Sequence, residues 1–270
     1  MYFNRRLPVV VMIVGLAISV LAGCKSTQTL STRPVATSII VDGQPNDWTD
    51  ALQRVPDEPF SLGLHNDGTH LYVAILANRP EAVRQMMGLG MTVWFDPEGG
   101  NKEKLGIRFP LGMRGGGMQG LRPGQEDPSV EAVLEARFRE SLTDLEILRN
   151  GEFEGLRVPV ASREDIAVAA GIEAGSFFYE LKIALDGDPN TDLALGVSPG
   201  QTIGLGVETP RPDREGFRAQ NRQGQAGRGG VGGGAGGGFG GIGDASQRPQ
   251  RPGNFQLPEQ IEAWLKVALQ

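Results

Sequence analysis

The sequence predicts a mainly β protein, an antiparallel β-sandwich with one or two short helices and a disordered glycine-rich loop. The clearest indication is an alternating run in which Phe60, Leu62 and Leu64 would share one face of a strand. The turn residues Asn66-Asp67-Gly68-Thr69 follow, and a second apolar run returns over residues 71–77. Two such runs around an Asp-Gly pair predict a hairpin. Helical periodicity is sparse in the rest of the chain, which favours two packed sheets.

The remaining elements follow from shorter patterns of the same kind. Further strands are predicted at residues 38–43, 91–97, 104–110, 144–148, 166–173, 177–185 and 202–208. Residues 91–97 and 104–110 are expected to pair across the loop between them. Helices are predicted at residues 80–87 and 129–142, the second capped by Ser129. Its apolar stripe consists of Val130, Val133, Leu134, Phe138 and Leu142.

The only cysteine, Cys24, lies directly after a segment with the features of a secretory signal. Two arginines precede an apolar run over residues 7–22, which is shorter than the roughly 20 residues that span a bilayer. The stretch Leu21-Ala22-Gly23-Cys24 resembles the lipobox of bacterial lipoproteins. The resemblance implies cleavage between Gly23 and Cys24 and a lipid (diacylglyceryl and palmitate) on the cysteine, so residues 1–23 would be a signal peptide.

The segment after Cys24 is expected to be a flexible tether over residues 24–37, because it is polar and rich in Ser and Thr. Lys25 and Ser26 follow the cysteine, and by resemblance to Gram-negative lipoproteins the lack of Asp there implies sorting to the outer membrane. The expected location is therefore the bacterial cell envelope, on the periplasmic or outer surface.

The charge of the chain excludes some partners. Removing Arg5 and Arg6 with the signal would leave 24 basic and 32 acidic side chains, a formal charge of −8. Such a protein does not bind nucleic acid or anionic lipid by electrostatic attraction. Its link to a membrane would be the N-terminal lipid.

A glycine- and arginine-rich segment over residues 211–254 has too little apolar content to offset the entropy of ordering it. We expect it to be a disordered insertion within one domain that spans residues 38–270.

Five short motifs occur in an order that resembles a known sandwich family. They are "IIVDGQPNDW", "LYVAILA", "TVWFDPEGG", "FYELKIAL" and "IGLGVET". This order resembles the family-9 carbohydrate-binding modules and the related DOMON sandwiches. The resemblance implies an antiparallel sandwich, a glycan or glycan-derived ligand as the best class, and a closing strand at the C-terminus.

The C-terminal segment "EQIEAWLKVALQ" fits a helix by local propensity and a strand by its alternation. The family resemblance and the benefit of covering a sheet edge favour the strand. In that case Leu265, Val267 and Leu269 belong to the core, and Trp264 lies on the outer face or under a loop.

Aromatic side chains that could stack on a sugar are Trp94, Tyr72 and Trp264, although aromatic residues are only 6% of the chain. Trp48 is expected to be a plug packed under the first turn instead. Neither catalytic motifs nor a phosphate loop occur in the sequence, so we expect no enzyme.

Metal and cofactor binding are weaker alternatives. His65 and His70 flank one turn and would be solvated, or would clip a metal ion. Asp96 and Glu98, with Asn101 and Glu103, place oxygen ligands in one loop, as Ca²⁺ prefers, but the EF-hand pattern fails. Haem bound through Met and either His or Lys is implied only by the DOMON resemblance.

The expected function is that of a non-catalytic, lipid-anchored envelope protein whose sandwich binds a ligand. An interaction or assembly subunit of an envelope complex, without a small ligand, is the alternative. A haem-carrying electron-transfer module is the third.

Lipidation at Cys24 can be tested by growing expressing cells with labelled palmitate. Wild-type protein should incorporate the label, and Cys24→Ser should remain unlabelled because the acceptor thiol is gone. Ser26→Ala is a matched control that should be labelled normally. Label that persists in Cys24→Ser would contradict the lipoprotein interpretation.

Overall fold

The computed structural model describes residues 28–48, 50–113, 136–152, 154–162, 165–187, 193–211 and 259–270. Within these residues two β-sheets, one of seven strands and one of six, pack face to face. The predicted β-sandwich is therefore confirmed. Cys24, most of the glycine-rich segment 211–254 and residues 129–135 of the second predicted helix lie outside the described residues.

The seven-stranded sheet carries the C-terminal strand near one edge. Its spatial order is β1 (Thr29–Ser31), β13 (Glu262–Ala268), β12 (Thr202–Glu208), β6 (Thr92–Asp96), β7 (Leu105–Arg108), β8 (Asp144–Arg149) and β9 (Leu156–Pro159). All neighbours in it are antiparallel except β1 and β13, which are parallel.

The six-stranded sheet is built around the predicted hairpin. Its order is β10 (Ile166–Glu173), β11 (Ser176–Ala184), β5 (His70–Ala77), β4 (Phe60–Asn66) and β2 (Arg33–Pro34), with β3 (Gln53–Arg54) also paired to β4. The helix α1 (Pro80–Leu89) connects β5 to β6 across the two sheets. Short 3₁₀ turns lie at Pro45–Trp48 and Val160–Ser162.

The main core lies between the sheets and follows from alternation in the strands. One face of each central strand supplies apolar side chains, such as Leu62, Val73 and Tyr179 in one sheet and Phe95 and Leu205 in the other. These side chains have no exposed surface. The opposite face of each sheet is left to other segments of the chain, and the two outer faces differ in how they are covered.

Most predicted strands occur within two residues of the expected bounds. The hairpin is β4 and β5, and β6 pairs with β7 as expected. The C-terminal segment is strand β13, in which Leu265 and Val267 are buried, and Leu269 just beyond it is buried too. Pro80–Leu89 is the first predicted helix, and residues 136–141 are helical in the second.

The expected tether is partly structured, which corrects the prediction for residues 24–37. β1 adds to the seven-stranded sheet beside β13, and β2 adds to the other sheet beside β4. Leu30 is 6% exposed and belongs to the core. Polarity suggested a loose segment, but a single apolar residue and free backbone groups on two sheet edges are enough to dock it.

Residues 38–43 were expected to form a strand, and this prediction was wrong. The segment lies across the outer face of the six-stranded sheet, where the backbone N–H groups of Asp42 and Gly43 donate to Oε2 of Glu180 at 3.0 and 2.6 Å. Nε1 of Trp48 donates to Oε1 of the same carboxylate at 2.6 Å. The motif therefore uses its backbone donors on a side chain instead of on a neighbouring strand.

Trp48 is the plug that the sequence predicts, and it has no exposed surface. Its ring occupies the space above Gly63, where an added Cβ would come within 2.6 Å of the indole. Tyr72, Ala74 and Phe178 complete this second apolar cluster. Burial raises the pKa of Glu180, although its hydrogen bonds with Trp48 and the two amides act in the opposite direction.

Replacing Glu180 with Gln tests how much this carboxylate contributes to folding. The side-chain amide nitrogen of Gln would face at least one of the N–H groups that now donate to the Glu180 carboxylate. Two donors cannot pair, so buried N–H groups would be left without an acceptor. We expect the free energy of unfolding to fall by about 1–3 kcal/mol, measured by urea denaturation.

Glu173→Gln is the matched control, since Glu173 is an exposed carboxylate on the adjacent strand. It should change stability by less than about 0.5 kcal/mol. Equal effects of the two substitutions would show that the loop is not held by Glu180.

Candidate functional site

The outer face of the seven-stranded sheet carries a row of cross-strand neighbours that alternates between tryptophan and glycine. Register places Trp264 beside Gly206, Gly206 beside Trp94, and Trp94 beside Gly106. Leu148 of β8 is the next member. The row thus crosses five adjacent strands on the side of the sheet away from the core.

Each indole leans over the glycine of the next strand. A Cβ on Gly206 would lie 2.8–3.0 Å from the Trp264 ring, and one on Gly106 would lie 2.5–2.9 Å from the Trp94 ring. Real Cβ atoms do not approach aromatic carbons so closely, so any other residue would push the rings away from the sheet. The two glycines therefore allow the indoles to lie against the backbone.

The two rings differ in their access to solvent. Trp94 is 3% exposed, so almost none of its ring is available to a ligand. Trp264 is partly exposed, with one side against Gly206. Of the three aromatic residues proposed from the sequence, Trp264 offers a ring surface to a ligand, and Trp94 is buried in the same cross-strand row.

A hydrogen-bonded chain of polar groups borders Trp264. Nε1 of Trp94 donates to Oε2 of Glu208 at 2.9 Å, and Nε2 of Gln260 donates to Oε1 of Glu208 at 2.7 Å. Nε of Arg211 donates to Oε1 of Gln260 at 2.7 Å. Both carboxylate oxygens of Glu208 are therefore held in place, and each retains a lone pair for a further donor.

Two further carboxylates lie near this chain. Glu262 is the direct cross-strand partner of Glu208, on the same face as Trp264. Glu103 comes from the β6–β7 loop, and burial together with the charges of Glu208 and Glu262 raises its pKa. Like charges placed opposite each other destabilise a sheet, and in the described chain neither Glu103 nor Glu262 has a salt bridge. The repulsion between these carboxylates destabilises the fold, so a contribution to stability does not account for their placement.

A shallow depression continues from Glu103 along the edge of this face. Its polar lining includes Asn101, Lys104 and Asn150. Next to the depression, the β6–β7 loop folds back over the sheet, with Gly100 against Gly204. Amide and ammonium groups thus lie at one side of the acidic cluster.

Tyr72, the third aromatic candidate, is instead a core residue of the apolar cluster under residues 39–52. It has no exposed surface, and its hydroxyl donates to Oδ2 of Asp67 at 2.7 Å. Tyr72 was proposed as a residue that stacks on a sugar, but Ile39, Trp48 and Leu52 belong to the apolar cluster that covers it. Its ring has no side open to a ligand.

The two histidines lie at the β4–β5 hairpin, as the sequence indicates. His65 is 8% exposed, packs 5.0 Å from Trp48 between ring centroids, and has Nδ1 3.2 Å from the carbonyl oxygen of Arg33. Burial lowers its pKa. His70 is more exposed, with Nδ1 3.4 Å from Oδ2 of Asp67. His65 is therefore a packed residue and not a solvated one.

The loop proposed for Ca²⁺ uses its oxygens internally. Oδ1 of Asp96 accepts from the backbone of Glu98 at 3.1 Å, and Oδ2 accepts from the backbone of Lys102 at 2.9 Å. The Glu98 carboxylate pairs with Nζ of Lys102 at 2.8 Å. Within the described ranges, no three His, Cys, Asp or Glu side chains are grouped in a way that suits a metal ion.

Within the described residues, the buried methionines of the core lie apart from His65. Met86 and Met91 lie in the core between the sheets, whereas His65 lies on the outer face of the six-stranded sheet against Trp48. None of the helices in the described part of the chain is long and apolar enough to cross a membrane.

Glu208, Gln260 and Glu262 were not among the residues proposed from the sequence, and Glu103 was proposed only as an oxygen ligand for Ca²⁺. The signal available was the spacing in "IGLGVET", where Gly204 and Gly206 leave one face of a strand without side chains. An empty row beside a tryptophan-bearing strand indicates that an aromatic ring covers it. The juxtaposition of the Glu208 and Glu262 carboxylates could be found only from the pairing of β12 with β13.

Comparisons with known proteins give distant likenesses. No protein-family profile matches the chain, and no curated protein matches it in sequence. A family-9 carbohydrate-binding module from Caldicellulosiruptor kristjanssonii, solved with glucose, is similar over 70% of this chain and 81% of its own, at 11% identity and a TM-score of 0.35. The same module solved with cellotriose gives 12% identity over 70% and 78%, at a TM-score of 0.34.

A proposed carbohydrate-binding protein from Bacteroides uniformis ATCC 8492 is similar over 68% of this chain and 84% of its own, at 10% identity and a TM-score of 0.38. Likenesses this distant assign no ligand. What this chain binds is therefore inferred from its own residues.

Gly206→Ala tests whether the glycine row seats Trp264. The added methyl group must displace the indole, so we expect the free energy of unfolding to fall by about 1–3 kcal/mol. In Gly206→Ala combined with Trp264→Ala, most of that penalty should disappear, which a double-mutant cycle measures. A fully additive cycle would contradict the contact. Lys266→Ala, at an exposed position of the same strand, serves as the control.

Proposed function

We propose that this chain is a non-catalytic, lipid-anchored protein of the bacterial envelope that binds a neutral saccharide on Trp264. The observation that carries the proposal is the Trp264 indole, held against Gly206 and still partly open to solvent beside immobilised carboxylate and amide groups. Aromatic rings in such positions offer a flat apolar surface at low conformational cost.

A sugar ring suits both parts of this surface. Its C–H face is apolar and packs on an indole, and its hydroxyl groups donate to acceptors around the rim. Glu208 offers remaining lone pairs in a fixed orientation, because Trp94 and Gln260 hold its oxygens. Hydrogen bonds to ionised acceptors are about twice as strong as neutral ones, so carboxylates give a neutral saccharide more affinity than hydroxyl groups would.

The charge of the rim favours a neutral saccharide over an acidic one. Three carboxylates, Glu103, Glu208 and Glu262, lie near the Trp264 surface. The same face carries one lysine, Lys266, so the rim is acidic on balance. Arg211 hydrogen-bonds to Gln260 instead of forming an ion pair with any of the carboxylates. A uronic acid or a sulfated sugar would add a negative charge to this group. Like-charge juxtaposition of that kind disfavours binding.

The position of the surface supports binding without turnover. Trp264 lies on the outer face of a sheet and is partly open to solvent, whereas glycosidic cleavage takes place in a site that excludes water. Anchoring through Cys24 belongs to the same proposal and is supported by the lipobox-like stretch at residues 21–24. An anchored reader of saccharides would keep its ligand near the cell surface.

The saccharide proposal can be tested on a glycan array that holds neutral and acidic sugars. The full chain should bind a subset of the neutral sugars and none of their uronic acid counterparts. Trp264→Ala should weaken binding about fivefold or more, since stacking on an aromatic ring contributes about 1–3 kcal/mol. Trp264→Phe keeps an aromatic ring and should retain part of the affinity.

Two further variants distinguish the contribution of the Trp264 ring from that of the surrounding carboxylates. Arg157→Ala alters the far edge of the same sheet, where Arg157 pairs with Asp144 at 2.6 Å, and should leave binding unchanged. Glu262→Gln should reduce the discrimination against acidic sugars. Failure of the wild-type chain to bind any saccharide, or unchanged binding by a folded Trp264→Ala variant, would refute the proposal.

A further inference from the structure

A second cleft lies at one end of the six-stranded sheet, apart from the Trp264 surface. It opens where β3 meets β4 and where the chain leaves β5 for α1. The side chains that define its chemistry are Arg54, Glu58, Ser61, Asn78 and Arg79. Nothing in the saccharide proposal uses these residues.

Strand register brings the donors together. Arg54 of β3 is the direct partner of Ser61 on β4. Phe60, the residue before Ser61, pairs with Ala77 at the end of β5, so Asn78 and Arg79 follow at the same end of the sheet. The residues that carry two guanidinium groups, one hydroxyl and one amide therefore line a single cleft. The pairing of β3 with β4 fixes Arg54 and Ser61 relative to each other.

The side chains of both arginines are exposed. In the described part of the chain, neither the Arg54 nor the Arg79 side chain has an ion pair or a hydrogen bond. By contrast Arg33 donates to the carbonyl oxygen of Asp50, Arg84 lies 3.6 Å from Glu81, and Arg108 pairs with Glu146.

The absence of partners is notable because the protein is acidic, with a formal charge of −6 over the full sequence. Acidic side chains are abundant, yet these two cations face one cleft that contains one acid, Glu58. The charged groups of the lining thus sum to a positive charge. Two like charges kept together repel each other, and an anion between them removes that repulsion.

We infer that this cleft binds a phosphate group, carried by inorganic phosphate or by a small phosphorylated sugar. Each guanidinium presents donors in a planar fork that matches the oxygens of a phosphate. Ser61 and Asn78 add two neutral donors. Three terminal oxygens can satisfy this set of donors, whereas the two oxygens of a carboxylate leave more of them without acceptors.

Phosphorus NMR or calorimetric titration of the full chain with inorganic phosphate, at constant ionic strength, tests the inference. Saturable binding of one equivalent is expected. Arg54→Ala and Arg79→Ala should each weaken it at least about tenfold, because a charge-assisted hydrogen bond contributes about 1.5–3 kcal/mol. Acetate should bind at least about tenfold more weakly than phosphate.

Arg84→Ala is the matched control. It also removes one exposed positive charge, and it lies on α1, the helix that Arg79 precedes. It should change phosphate affinity by less than about twofold. Trp264→Ala should have no effect either, which separates this site from the saccharide surface. Melting curves of each variant show that the fold is retained.

The source of the phosphate is distinguished by a second titration with glucose 6-phosphate. Tighter binding than inorganic phosphate would assign the cleft to sugar phosphates, and equal binding would assign it to the phosphate group alone. No saturable binding of either compound would overturn the inference. So would equal weakening by Arg84→Ala, which would indicate a general effect of charge, or acetate binding as tight as phosphate.

Discussion

The contact of a tryptophan ring with a strand glycine is the constraint on which both outer faces of this sandwich depend. All three tryptophans make it: Trp48 lies over Gly63, Trp94 over Gly106 and Trp264 over Gly206. In each case a single methyl group on the glycine would overlap the ring. Glycine weakens a strand when it is exposed, but here the missing side chain is replaced by an indole from another part of the chain.

The same contact has different results on the two faces because the surrounding polar groups differ. On the six-stranded sheet, Glu180 takes three hydrogen bonds from the segment that contains Trp48, and that segment closes over the ring. On the seven-stranded sheet, Glu208 binds Trp94 and Gln260, and Trp264 is left partly open. One face is therefore part of the folded core, and the other is a surface that a ligand can reach.

Much of the sandwich could be predicted because each strand carries its own pattern. The hairpin at Asn66–Thr69, the pairing of β6 with β7 and the strand that contains Val267 all followed from alternation and turn residues. Residues 38–43 also have a strand pattern, and that prediction failed. Its outcome was decided by the Glu180 carboxylate, which is more than a hundred residues away in sequence, and no local pattern contains such information.

The candidate site shows the same limit. Trp264 could be placed on an outer face from the alternation of its strand, because period-two alternation needs no partner. Whether Tyr72 or Trp94 was also accessible depended on what covers each face, and the structure buries both side chains. Glu208 and Glu262 became candidates only through the register of β12 with β13. Alternation within one strand therefore identifies which side chains share a face, whereas the candidate site depends on how two strands are paired.

In the proposed lipid-anchored protein, the docking of β1 beside β13 would also restrict how far the sandwich stands from a membrane. The backbone of Gln28 already accepts a hydrogen bond from Lys266 at 2.8 Å, so only residues 25–27 separate Cys24 from the folded body. Four Cα–Cα steps extend to at most about 14 Å. A lipid on Cys24 would then hold the edge strands close to the head groups, with Trp264 two residues from that attachment on the same strand. The protein would not sweep the surrounding space for saccharides, and its ligand would have to be displayed within a thin layer next to the bilayer.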